Sequence, residues 1–92
     1  MDVVELGEGR YQTGQVAEVK VLGSLCLIDQ GEIDWKVFTM EREEAERRDI
    51  RSLEDIDRLS PGRLQAIQQW FINIKTFEDG HRPPDQVVPS ML

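Results

Sequence analysis

The chain has 92 residues, with 18 acids against 11 bases, a formal charge of −7, one Cys and one His. That length holds one lean domain at most. A single Cys excludes an internal disulfide framework or a Cys-rich zinc site, and the acid excess argues against nonspecific duplex DNA binding, which relies on Lys and Arg to neutralise phosphates.

No apolar run approaches the ~20 residues of a membrane span, and Met1 to Leu6 lacks a secretory signal pattern. The expectation is a globular cytoplasmic chain that binds neither nucleic acid nor membrane. In chain order, Val3-Val4-Glu5-Leu6 predicts a short strand, and Gly7-Glu8-Gly9 a turn. Between Gln15 and Asp29, the residues Val19, Val21, Leu25, Leu27 and Asp29 share one parity, and Glu18 and Lys20 the other. This is the period of a half-buried strand. Gly23-Ser24 predicts a bend or bulge at which the parity slips. A hairpin loop around Gln30 to Ile33 leads into a strand ending at Met40.

The second half predicts helices. Glu41 to Arg48 is charge-dense without an apolar stripe and reads as a solvated loop or exposed turn. Ser52-Leu53-Glu54-Asp55 resembles a capping box with Asp in place of Glu, opening a short helix that buries Leu53, Ile56 and Leu59. Ser60-Pro61 reads as N-cap and first turn of a longer helix. Leu64, Ile67, Phe71 and Ile74 form its apolar stripe, which Trp70 widens. His81 to Leu92 holds three Pro and no periodicity, so residues 1–80 form the domain and 81–92 an irregular tail. The fold class is α+β: antiparallel strands in a partly open barrel of oligonucleotide-binding-fold type, followed by a short and a longer amphipathic helix.

One stretch carries candidate chemistry: Asp29-Gln-Gly-Glu-Ile-Asp34-Trp-Lys36. If Asp29 and Asp34 flank a four-residue loop, their Cβ atoms lie roughly 4.5–5.5 Å apart. Hard divalent cations such as magnesium take such carboxylate oxygens. Lys36 shares the face of Asp34 and could meet an anionic, phosphate-bearing substrate. Acids at turns are equally ordinary solvated residues, so spacing leaves both readings open. Cys26 reads as a buried filler, His81 as exposed and inert, and Trp35 and Phe38 as sheet-face packing.

The segment from Lys20 to Lys36, KVLGSLCLIDQGEIDWK, resembles the core of the soluble family I inorganic pyrophosphatases, nearest their eukaryotic form. Asp49-Ile50, Asp55-Ile56, Pro61-Gly62, Trp70-Phe71, Lys75 and Asp79-Gly80 continue the likeness, which runs from about Met1 to Gly80. The resemblance implies magnesium-dependent hydrolysis of inorganic pyrophosphate, with Asp2, Asp29 and Asp34 as metal ligands and Lys36 and Lys75 on phosphate oxygens. Asp2 corresponds to the last acid of the family's Asp-x-Asp-Pro-x-Asp signature. Two departures stand out: Ile74 occupies the position of a phosphate-binding Tyr, and Gln30 that of an acid. The family's other signature acids, with the Lys, Arg and Tyr of its substrate cage, fall before Met1. The expectation is therefore the C-terminal half of a pyrophosphatase, an incomplete fold whose homo-oligomeric state stays open. The alternative is a truncated, non-catalytic fragment acting as an interaction piece, or, more remotely, a stand-alone acidic module sharing the fold alone.

Overall fold

The computed structural model describes residues 1–29, 31–78 and 86–91, with the backbone alone at Asp29, Lys75, Phe77, Glu78 and 86–91. Strands β1 (Asp2–Glu5), β2 (Val19–Asp29) and β3 (Glu32–Glu41) precede helices α1 (Arg42–Arg47), α2 (Leu53–Leu59) and α3 (Arg63–Glu78), and β4 (Gln86–Met91) follows.

The strands form one open sheet in the order β1-β3-β2-β4. β2 pairs antiparallel with β3 and β4, but β1 runs parallel to β3. The all-antiparallel expectation therefore fails at β1, and among the described residues the sheet does not close into a barrel. The expected irregularity is present: the β2–β3 register shifts between Val21 and Gly23, and Leu22 in the bulge is fully buried. Before the bulge Val19 and Val21 are exposed; after it Leu25 and Leu27 point into the core. The bulge thus changes which parity faces inward.

β4 corrects the irregular tail over 86–91. Pro89 sits opposite Leu25 on β4, which among the described residues is an edge strand, the place in a sheet where a residue without an N–H is tolerated. The remaining tail residues, His81 included, lie outside the described residues.

Phe38 and Met40 of β3 alternate into the same face as Leu25 and Leu27, where Leu53 and Ile56 of α2 cover them. Leu64, Ile67, Phe71 and Ile72 pack α3 against this cluster. Burying each large aliphatic side chain of this kind contributes about 1.5–3 kcal/mol. Several helix expectations change. Ser52 holds the N-cap position without a side-chain bond; the Asp55 carboxylate instead accepts the Arg51 N–H at 2.8 Å. Ser60 closes α2 through its N–H to the Ile56 carbonyl, and α3 begins at Arg63 after Gly62 (φ +87°). Leu59, Trp70 and Ile74 are exposed rather than buried. Trp70 rests edge-on against Phe71, with ring centroids 4.9 Å apart. Trp35 is also exposed, on the sheet face opposite the helices, whereas Cys26 and Phe38 are buried as expected.

Glu41 to Arg48 is not a solvated loop. α1 buries Ala45 and Glu44, the latter 6% exposed. A charge is buried stably only when its hydrogen-bonding capacity is filled. Both Glu44 oxygens accept the Glu8 N–H, at 3.1 and 3.2 Å, and Arg48 Nη1 donates to Oε2 at 2.9 Å.

Candidate functional site

The parallel β1–β3 pairing aligns Asp2 with Lys36. Alternation along β3 puts Asp34 and Lys36 on one face, each opposite a buried leucine of β2: Leu27 beside Asp34 and Leu25 beside Lys36. The Lys36 side chain, 14% exposed, carries its ammonium to 2.6 Å from Asp2 Oδ2 and 3.0 Å from Asp34 Oδ2. Phe71 of α3 closes another side, its ring centroid 5.6 Å from Nζ.

This arrangement sets the protonation of its members. Burial works against the Lys36 charge, but the hydrogen bonds and fields of Asp2 and Asp34 outweigh it and raise the pKa. The Lys36 hydrogen bond and charge hold Asp2 below its ordinary 3.8. Asp2 is itself 67% exposed, so one side of the cluster opens to solvent.

Three of the five site residues expected from sequence thus come together: Asp2, Asp34 and Lys36. The expected pairing of Asp29 with Asp34 does not occur. Asp29 is in register with Glu32, and Asp34 with Leu27. The cause is the shorter connection: β3 begins at Glu32, and Gly31 takes φ +82°, a conformation suited to a residue without Cβ. The side chains of Asp29 and Lys75 lie outside the described set. Sequence reasoning placed Phe71 in the core stripe and missed its contact with Lys36, because the register between a strand and a distant helix leaves no local signal.

Two carboxylates beside a solvent-open face offer hard oxygen donors. Among the described residues no group of three or more His, Cys, Asp or Glu is placed to hold a metal ion. Magnesium commonly takes one or two protein carboxylates and completes its shell with water and substrate phosphate, so the donor chemistry of Asp2 and Asp34 fits it.

A second acidic group surrounds Gly7. Glu5 Oε1 accepts the Gly7 and Glu41 N–H groups at 2.9 and 3.1 Å, and Tyr11 donates its hydroxyl to Glu41 at 3.0 Å. Partial burial, the Glu41 hydrogen bond and the nearby Glu5 and Glu44 charges push the Tyr11 phenol up to about 12. Glu5 and Glu44 accept the Gly7 and Glu8 N–H groups and Glu41 accepts the Tyr11 hydroxyl, which fastens the loop after β1 to the β3–α1 junction.

The geometry has counterparts among known proteins. The family model described as inorganic pyrophosphatase matches residues 1–88. The inorganic pyrophosphatase of Schizosaccharomyces pombe is 44% identical over 71 residues, covering 77% of this chain and 25% of that protein. That of Zygosaccharomyces bailii is 41% identical over 86 residues, covering 94% of this chain and 29% of that protein. The crystal structure of type I inorganic pyrophosphatase from P falciparum superposes with a TM-score of 0.72 at 33% identity, covering 95% of this chain and 29% of that one. An N-terminally truncated Trypanosoma cruzi vacuolar soluble pyrophosphatase, solved in complex with PPi, gives a TM-score of 0.71 at 30% identity, covering 95% of this chain and 35% of that one. The chain spans about a quarter of the length of the curated relatives it matches. With the family match running through nearly all of its residues, the chain belongs to the inorganic pyrophosphatase family.

Proposed function

We propose that this chain supplies part of the site of a magnesium-dependent enzyme that hydrolyses inorganic pyrophosphate to two phosphates. The observation that carries the proposal is the convergence of Asp2 and Asp34 on the Lys36 ammonium. Family membership and the PPi complex of the Trypanosoma cruzi relative support the choice of substrate.

In this reading Asp2, Asp34 and Asp29 hold magnesium, and Lys36 and Lys75 hold phosphate oxygens. Bound magnesium would neutralise substrate charge and lower the pKa of a coordinated water. Lys36 does the complementary work. Its ammonium, mostly shielded from water by the sheet and Phe71, binds a phosphate oxygen and opposes the negative charge that develops there. The raised pKa keeps it protonated throughout the neutral range. The reading includes strands from a longer chain continuing the open sheet toward a barrel, a cytoplasmic setting and room for a homo-oligomer. Among the described residues no helix is long and apolar enough to cross a membrane.

A second reading treats the 92 residues alone as a non-catalytic interaction piece. The exposed Val3, Ile33 and Trp35 on the sheet face away from the helices favour it, as does the loss of nearly all rate when members of a catalytic set are missing.

Thermal unfolding with magnesium and pyrophosphate tests the site, because a ligand that binds the native state raises its stability. The expected result is a raised Tm that Asp34→Asn removes; no shift in the parent chain rejects the site. Magnesium-dependent phosphate release by the purified chain, lost in Asp34→Asn, would reject the non-catalytic reading.

A further inference from the structure

Phe71 meets Lys36 through a contact that neither carboxylate provides. Asp2 and Asp34 engage the ammonium by hydrogen bonds at 2.6 and 3.0 Å, while the ring centroid lies 5.6 Å from Nζ. A cation within about 6 Å of an aromatic centroid is attracted by the ring quadrupole. The ring is itself fixed from two sides. Phe38 lies 6.0 Å away in a tilted arrangement, and Trp70 stands edge-on at 4.9 Å. Such aromatic pairs have preferred geometries and limit the freedom of the central ring.

We propose that Phe71 is a positioning residue for Lys36, holding the ammonium toward the anion site through its π face. The proposal rests on the reading of that site as pyrophosphate-binding. The physical need arises from double use of the carboxylates: Asp2 and Asp34 anchor Lys36 here and are also the donors assigned to metal. Carboxylate lone pairs directed at a metal bind the ammonium less well. A π face does not compete for metal and attracts the ammonium without a directed hydrogen bond, leaving N–H groups for phosphate oxygens. Phe71 also belongs to α3, so the helix that covers the core sets the position of a charge on β3.

The test uses the full chain with lysine ε-carbons labelled, read by proton–carbon NMR, and the variants Phe71→Leu and Phe71→Tyr. Lys36 is assigned through the signal lost in Lys36→Met. The ε-methylene protons of Lys36 are expected upfield of the other lysines because of the ring current. Tyr should preserve that shift and Leu should abolish it. With magnesium present, Leu should also weaken pyrophosphate binding about three- to tenfold, and Tyr should restore it. A Lys36 signal at the ordinary lysine position in the parent chain overturns the proposal even if Phe71→Leu does not fold. An unchanged pyrophosphate affinity in a folded Leu variant also overturns it. If the ring-current shift is present but pyrophosphate with magnesium leaves every lysine signal of the parent chain unmoved, the substrate reading fails and the positioning role falls with it.

Discussion

Lys36 Nζ lies 2.6 Å from Asp2 Oδ2 across a parallel strand pair whose register sets the two Cα positions side by side. The contact spans 34 residues of sequence and depends on β1 pairing with β3 rather than with β2, its neighbour in the chain.

The first prediction follows from that pair. Lys36→Met keeps an apolar stem against Leu25 but removes the cation that lowers the Asp2 pKa. A carboxyl NMR titration should place Asp2 below 3.8 in the parent chain and higher in the variant. A depressed folded pKa gives stability that is present above the unfolded value and lost as pH falls through the folded one. The Asp2 contribution should therefore disappear on acidification and be reduced in Lys36→Met, where only the N-terminal charge still lowers the Asp2 pKa. An unchanged Asp2 midpoint would show that the contact does not persist in solution.

Strand β2, its bulge at Gly23, the hairpin and the candidacy of Lys36 were legible because each depends on neighbours within a few residues. Side-chain alternation and glycine placement encode them locally. Helix α1 was not legible. Glu44 looks solvated in a run of charges, but its partners include the N–H of Glu8, 36 residues away. β4 was hidden by Pro89, whose cost depends on lying at a sheet edge, and the Lys36–Phe71 contact by the docking of α3. Asp29 and Asp34 misled through loop length: a shorter turn shifts the register by two residues and separates a pair that composition alone suggests.

Glu44 yields a stability prediction. Burial opposes its charge, but the Glu8 N–H and Arg48 outweigh burial and lower its pKa below 4.5. Glu44→Ala leaves those donors unpartnered and should cost about 1–3 kcal/mol. For a domain of this size each kcal/mol corresponds to a Tm decrease of about 4–8 °C. The difference from the parent should narrow in acid, because the Glu44 contribution is lost as pH falls through its folded pKa. Calorimetry at neutral and acidic pH measures both effects.

Gly7 should resist enlargement for steric reasons. A Cβ there would lie 2.6 Å from Glu5 Oε1 and 2.7 Å from Glu44 Oε1. Side-chain ends often move aside cheaply, but Glu5 Oε1 is held by the Gly7 and Glu41 N–H groups and Glu44 by Glu8 and Arg48. Gly7→Ala should therefore destabilise by about 1–3 kcal/mol, measured by urea unfolding. A neutral result would mean that the two carboxylates can separate without loss of their bonds.

Ile74 is the position where the family resemblance places a phosphate-binding Tyr. The side chain is exposed on α3, immediately before Lys75, rather than packed in the core. Replacement there should change stability by no more than about 0.5 kcal/mol. A phenol hydroxyl adds a donor for an anionic oxygen, and a hydrogen bond to a charged group is worth about 1.5–3 kcal/mol. Ile74→Tyr is therefore expected to tighten pyrophosphate binding by at least about tenfold in the presence of magnesium, with an almost unchanged Tm in the absence of ligand. Titration calorimetry on the parent and variant decides it. Equal affinities would remove position 74 from the phosphate contacts, while a large loss of unliganded stability would show that Ile74 packs more closely than its exposure indicates.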